Sequence, residues 1–167
     1  MTPMVAADGP GPLSLFLVDE AATLALGARL APFLEPGLVI TLRGDLGAGK
    51  TTLVRGLLRA LGFAGRVKSP TYTLVETYNL SRLNFYHFDF YRFQDPREWN
   101  EAGFREVAGT EAICLIEWPE RARGQLPPVD LDISLTVSNE SRMASLAACS
   151  PAGVRLLTAL SLHSSSP

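Results

Sequence analysis

Gly44-Asp45-Leu46-Gly47-Ala48-Gly49-Lys50-Thr51 sets two glycines, a lysine and a hydroxyl at the spacing G-x-x-x-x-G-K-[ST]. Glycines let successive backbone N–H groups turn inward and make a concave anion site. A helix that starts near Lys50 points the positive end of its dipole at the same anion. In such a phosphate loop, Lys50 reaches the β- and γ-phosphates of a nucleotide and the Thr51 hydroxyl holds Mg²⁺.

Two acids have the right setting to complete a metal site. Mg²⁺ on a phosphate takes oxygen ligands, commonly a hydroxyl and a nearby carboxylate. Glu117 ends the apolar run Ile113-Cys114-Leu115-Ile116, where a parallel strand delivers its last residue to the ligand edge of a sheet. Asp89 lies in the aromatic run Asn84 to Arg92, two positions after His87 and therefore on its face. Both acids are expected in the site. The simpler alternatives are a water-facing strand end for Glu117 and a pairing with Arg92 or a turn cap for Asp89. His87 reads either as a general base or proton relay, or as a hydrogen-bonded core histidine. Ser69 and Thr71 flank Pro70 in a loop after the helix. They read either as phosphate-sensing hydroxyls or as plain loop residues.

The elements that position these residues follow from apolar patterning. Leu13 to Val18 reads as a first strand, and Asp19 caps a helix carrying Leu24, Leu26, Leu30 and Leu34. Pro36-Gly37 turns the chain into the strand Leu38 to Leu42. From Thr52, the spacing of Leu53, Leu57, Leu58 and Leu61 predicts a helix, closed by Gly62. Tyr72 to Leu80 and Leu83 to Tyr91 read as a hairpin turning at Ser81-Arg82. The aromatic density of the second run suits a strand packed on a core better than a platform for stacked bases. A short helix at Arg97 to Ala102, the strand from Ala112 ending in the acid Glu117, strands at Val129 to Val137 and Arg142 to Cys149, and a helix at Ala152 to Leu162 complete the chain. Strands alternating with helices argue an α/β P-loop NTPase domain. Its expected form is a mostly parallel central sheet with an added antiparallel hairpin and helices on both faces.

The 167 residues are enough for one core, expected over residues 13–163 between a flexible segment 1–12 and a disordered tail 164–167. With 47% hydrophobic and 19% charged residues, the chain is of the globular class. A net charge of −2 gives no global basic field for nucleic acid. Only Lys50 and Lys68 are lysines, which excludes a lysine-rich binding surface. Cys114 and Cys149 form neither a disulfide framework nor a metal pattern, and Cys114 reads as core. No signal peptide or membrane-spanning run stands out, so a cytoplasmic setting is expected.

Four segments carry a resemblance: Gly44 to Thr52, Ser69-Pro70-Thr71-Tyr72, His87-Phe88-Asp89-Phe90-Tyr91-Arg92, and Leu115-Ile116-Glu117-Trp118-Pro119. In order and spacing they resemble the signatures of the TsaE family, bacterial ATPases of tRNA threonylcarbamoyladenosine biosynthesis. The likeness runs from about Leu13 to Val137. It implies a single P-loop domain that binds ATP and Mg²⁺ and hydrolyses slowly alone. It also implies work with a TsaB–TsaD pair that transfers a threonylcarbamoyl group to the adenosine beside the tRNA anticodon. By motif, Lys50 holds phosphates, Thr51 and Glu117 hold Mg²⁺, Asp89 supports the metal site, and Trp118 lies at a nucleotide-responsive switch. The resemblance further puts Val18 and the region of Ser141 and Arg142 near the base. Two classes compete: a small-molecule or nucleotide kinase, for which Arg121 and Arg123 could imitate a lid although the segment from Trp118 to Leu126 is short, and a nucleotide-dependent binding module with little turnover of its own.

Guanine-specific P-loop proteins carry Asn/Thr-Lys-x-Asp after a buried strand. Neither lysine here supplies an acid at that spacing, so adenine is favoured. ATP should therefore bind more tightly than GTP. Equal dissociation constants in Mg²⁺ buffer would contradict this.

Overall fold

The computed structural model describes residues 11–70, 74–80, 82–95, 97–98 and 111–163. Their sheet has seven strands: β1 (Leu13–Leu17), β2 (Val39–Arg43), β3 (Val75–Asn79), β4 (Asn84–Asp89), β5 (Ile113–Glu117), β6 (Leu131–Ser138) and β7 (Ser141–Ala148). The spatial order is β1-β7-β6-β2-β5-β4-β3. Three α-helices accompany it among the described residues: α1 (Glu20–Leu30), α2 (Lys50–Ala60) and α3 (Pro151–His163).

Strands β6, β2, β5 and β4 run parallel at the centre. Their continuous apolar runs match burial on both faces, most fully in β5. The sheet is less parallel than its central strands suggested, because three of its six pairings are antiparallel. One is the expected hairpin β3–β4, where the Leu80 N–H donates to the Leu83 carbonyl at 3.1 Å. The other two come from β7, which folds back from β6 through Asn139-Glu140 and then accepts β1 on its outer side. A two-residue link can only return a strand antiparallel, and Asn139 takes the left-handed conformation (φ 57°) that such a turn requires.

Helix ends follow local chemistry. The Asp19 carboxylate accepts the Ala22 N–H at 2.9 Å and caps α1. Gly62 (φ 97°) ends α2, with the Phe63 N–H on the Leu58 carbonyl and its own N–H on that of Arg59.

The three α-helices share one face of the sheet. There Leu26, Leu30, Leu53, Leu57, Leu157 and Leu160 pack on Ile40, Leu42, Phe85, Leu115 and Ile133. The other face is aromatic: Phe88, Phe90 and Phe93 close over Val39, Cys114 and Ile116. The 3-10 turn Pro119–Ala122 contributes Ala122 to that layer. Phe90 and Phe93 stack at 4.5 Å, and Phe85, Phe88 and Phe90 are fully enclosed, so the aromatic run builds core and offers no stacking platform. Most of the helix expected at Arg97 to Ala102 lies outside the described residues, as do the chain ends 1–10 and 164–167. Burial pushes the Cys114 thiol up to about 11, which keeps it protonated and inert.

Helices α1 and α2 approach so closely that each needs a glycine at the contact. A Cβ on Gly27 would lie 2.2 Å from the Leu53 carbonyl oxygen, and one on Gly56 2.1 Å from that of Leu24. Alanine normally stabilises a helix interior over glycine. Gly56→Ala should do the opposite here, lowering unfolding free energy by about 1–3 kcal/mol in urea denaturation. Unchanged or raised stability would show that the two helices slide apart at no cost.

Candidate nucleotide and metal site

Strand β2 delivers the chain into a loop with Gly44, Gly47 and Gly49 at φ of 148°, 82° and 107°. Gly44 lies against β6, where a Cβ would stand 2.7 Å from the Leu135 carbonyl oxygen. The Ala48 N–H closes onto the Asp45 carbonyl at 3.0 Å, and α2 starts at Lys50 with no side chain capping its first amides. Uncapped amides at a helix N-terminus behind a glycine loop are the donors an anion needs.

Lys50 is 5% exposed. Its Nζ donates to the Gly44 carbonyl at 2.5 Å, stands 3.9 Å from Glu117 Oε1, and lies 4.0 Å from the centre of the Trp118 ring. Burial lowers its pKa, and the nearby carboxylates of Glu117, Asp89, Glu120 and Asp45 oppose that shift.

Asp89 and Glu117 sit directly opposite each other at the carboxyl ends of the parallel strands β4 and β5, both 3% exposed. Alternation along the strands turns both toward the helical face, where α2 begins. Asp89 accepts the Tyr91 N–H at 2.9 Å and the Ser69 hydroxyl at 2.7 Å. Glu117 Oε2 lies 2.6 Å from Nε2 of the fully buried His87. His87 thus acts on Glu117, two strand positions from Asp89. Its Nδ1 has no hydrogen-bond partner. The neighbouring Trp118 takes a left-handed backbone (φ 57°) and meets the Tyr91 ring at 5.0 Å.

Lys50, Thr51, Ser69, Asp89, Glu117 and Trp118 together line a cleft of about 270 Å³. Its oxygens suit a hard cation, two buried carboxylates and a hydroxyl being what Mg²⁺ takes when phosphates complete its shell. Among the described residues no group of three His, Cys, Asp or Glu could hold an ion by itself. Thr71 lies outside the described residues.

A second cleft of about 400 Å³ adjoins the first on the other side of Gly47, Gly49 and Thr52. Asp19, Glu20, Thr23, Asn139, Glu140 and Arg142 complete its wall. Val18 is exposed beside Asp19. Arg142 lines the cleft with its guanidinium on the Ala48 carbonyl (Nε, 2.9 Å) and the Gly47 carbonyl (Nη2, 3.3 Å). The sequence pointed to Asp19 only as a cap and gave no sign of Thr23, Asn139 or Glu140. These residues meet through the antiparallel pairing of β1 with β7, which no local pattern announces.

A glycine loop between a buried parallel strand and a helix, with acids ending the adjoining strands, defines a P-loop α/β domain. A family model described as threonylcarbamoyl adenosine biosynthesis protein TsaE matches residues 17–144. The chain therefore belongs to the TsaE family. It is 42% identical over 154 residues to the tRNA threonylcarbamoyladenosine biosynthesis protein TsaE of Haemophilus influenzae, covering 89% of this chain and 98% of that protein. The protein of the same name from Bacillus subtilis is 41% identical over 116 residues, 70% of this chain and 72% of its own length. The crystal structure of Bacillus subtilis YdiB superposes with a TM-score of 0.79 at 33% identity, covering 91% of this chain and 95% of that one.

The His87–Glu117 contact is buried, so removing the imidazole takes away the hydrogen-bond partner of Glu117 Oε2 and leaves only Lys50, 3.9 Å from Oε1. His87→Ala should cost about 1–3 kcal/mol of stability in urea denaturation. An unchanged midpoint would mean that water or a rotated Glu117 replaces the contact freely.

Proposed function

We propose that this chain is a Mg²⁺-dependent ATPase that supports threonylcarbamoyl transfer to the adenosine beside the tRNA anticodon, acting with a TsaB–TsaD pair. Membership of the TsaE family supports the pathway. One observation carries the chemistry: Lys50 and Thr51, at the start of α2, face two buried carboxylates held in register on β4 and β5.

The residues divide the work. Amides of Gly47, Gly49 and Lys50 would surround the phosphate chain, and Gly44, Asp45, Ala48 and Thr52 shape the loop and helix start around it. Lys50 exchanges the Gly44 carbonyl and Glu117 for the β- and γ-phosphates, charge meeting charge in a desolvated cleft. Thr51, Glu117 and Asp89 would hold Mg²⁺, which would supply charge neutralisation on the phosphates. Ser69, through Asp89, and Thr71 would sense the γ-phosphate. Val18, Arg142 and the second cleft lie on the nucleoside side. Trp118 covers Lys50 in the free protein and so reports the ammonium's departure. Hydrolysis breaks the bond between the γ-phosphorus and its bridging oxygen, water supplying the new oxygen.

Lys50→Ala should weaken ATP binding about tenfold or more, since charge-assisted hydrogen bonds contribute roughly 1.5–3 kcal/mol. Calorimetry showing unchanged affinity would remove the phosphate-loop assignment. In a Trp99→Phe background, Mg-ATP should change Trp118 fluorescence, and Glu117→Ala should shrink the change and abolish turnover. Turnover should rise when the TsaB–TsaD pair and tRNA are added. Phosphate transfer to a hydroxyl acceptor without ATP hydrolysis would favour a kinase instead.

A further inference from the structure

Arg142 is the second residue of β7, flanked in register by Leu17 of β1 and Val137 of β6. All three guanidinium nitrogens donate to backbone carbonyls: Nε to Ala48 at 2.9 Å, Nη2 to Gly47 at 3.3 Å and Nη1 to Ser141 at 3.0 Å. The bond to Ser141 anchors the head group on its own strand. The other two tie it to consecutive peptide units of the phosphate loop.

A trans peptide points its C=O and N–H in opposite directions. Arg142, gripping the carbonyls of Gly47 and Ala48 from the β7 side, therefore sets where the amides of Ala48 and Gly49 point. The Ala48 N–H already closes onto Asp45 at 3.0 Å, so the Gly47–Ala48 unit is fastened at both ends. The Ala48–Gly49 unit is fastened through its carbonyl, which aims the Gly49 N–H away from β7. Three glycines make this loop the least constrained backbone around the cleft. A planar five-donor fork suits two neighbouring carbonyls in a way a lysine ammonium does not.

We infer that Arg142 is a positioning residue for the phosphate loop, acting through the Gly47 and Ala48 carbonyls and not as a contact to the nucleoside. The inference rests on the ATP-site reading. Its consequence is that the antiparallel flank of the sheet preorganises phosphate binding. Loss of Arg142 should weaken every ligand that uses the loop by the same factor, whatever is attached to the phosphates.

The test compares ATP with inorganic tripolyphosphate, which has no ribose or base. Calorimetry on the full chain should show Arg142→Ala losing about tenfold in affinity for both. Arg142→Lys should recover only part of the loss. Amide hydrogen exchange on the ligand-free protein should show faster exchange at Ala48, whose N–H closes onto Asp45, in both variants, with β2 and β5 amides unchanged. A loss confined to ATP would make Arg142 a nucleoside contact and overturn the inference, as would unchanged affinity for both ligands. Should Arg142→Ala fail to fold, Arg142→Lys carries the same comparison. If the parent chain binds neither ligand, the ATP-site reading fails. Exchange at Ala48 then decides alone, unaltered protection in Arg142→Lys overturning the positioning role.

Discussion

An ammonium taken out of water has to be compensated where it stands, and Lys50 sets that requirement for everything around the cleft. Its three neighbours come from two strand ends: the Gly44 carbonyl at the exit of β2, and the Glu117 carboxylate and the Trp118 ring at the end of β5. None of them works unless α2 starts where it does and β5 lies beside β2. The left-handed Trp118 costs roughly 1–2 kcal/mol of backbone strain. Covering a desolvated cation and packing on Tyr91 offsets a cost of that order.

The same geometry brings two carboxylates together, which would repel if left alone. The protein holds them with donors instead: Ser69 and the Tyr91 amide on Asp89, His87 on Glu117. Ser69 comes from the loop after α2, and His87 and Tyr91 from β4 and the turn that follows it, so the acids are fixed in direction as well as in place. Orientation bought in advance costs no rearrangement when a charged ligand arrives.

The flank β6–β7–β1 extends the site from the other side. It carries Arg142 to the phosphate loop and, with Asp19 and the Asn139-Glu140 turn, walls the second cleft. The phosphate loop is thus gripped between a parallel half of the sheet that supplies acids and an antiparallel half that supplies an arginine.

The sequence by itself determined the local elements and the identity of the phosphate loop. Gly44 to Thr51 needs only its own glycines and the helix that follows, and β5 announces itself as an unbroken apolar run ending in Glu117. Asp19 and Gly62 mark helix ends through bonds within a few residues. Face sharing of His87 and Asp89 follows from strand alternation, yet not what either touches. Only the tertiary structure decided that His87 serves Glu117, because that contact depends on the register of β4 against β5. Only the tertiary structure revealed how much of the sheet is antiparallel, for strand direction is a property of pairs. And only it put Arg142 on the Gly47 and Ala48 carbonyls, more than ninety residues away in the chain. Periodicity records which side of a strand is buried; it carries no record of which strand lies next to it.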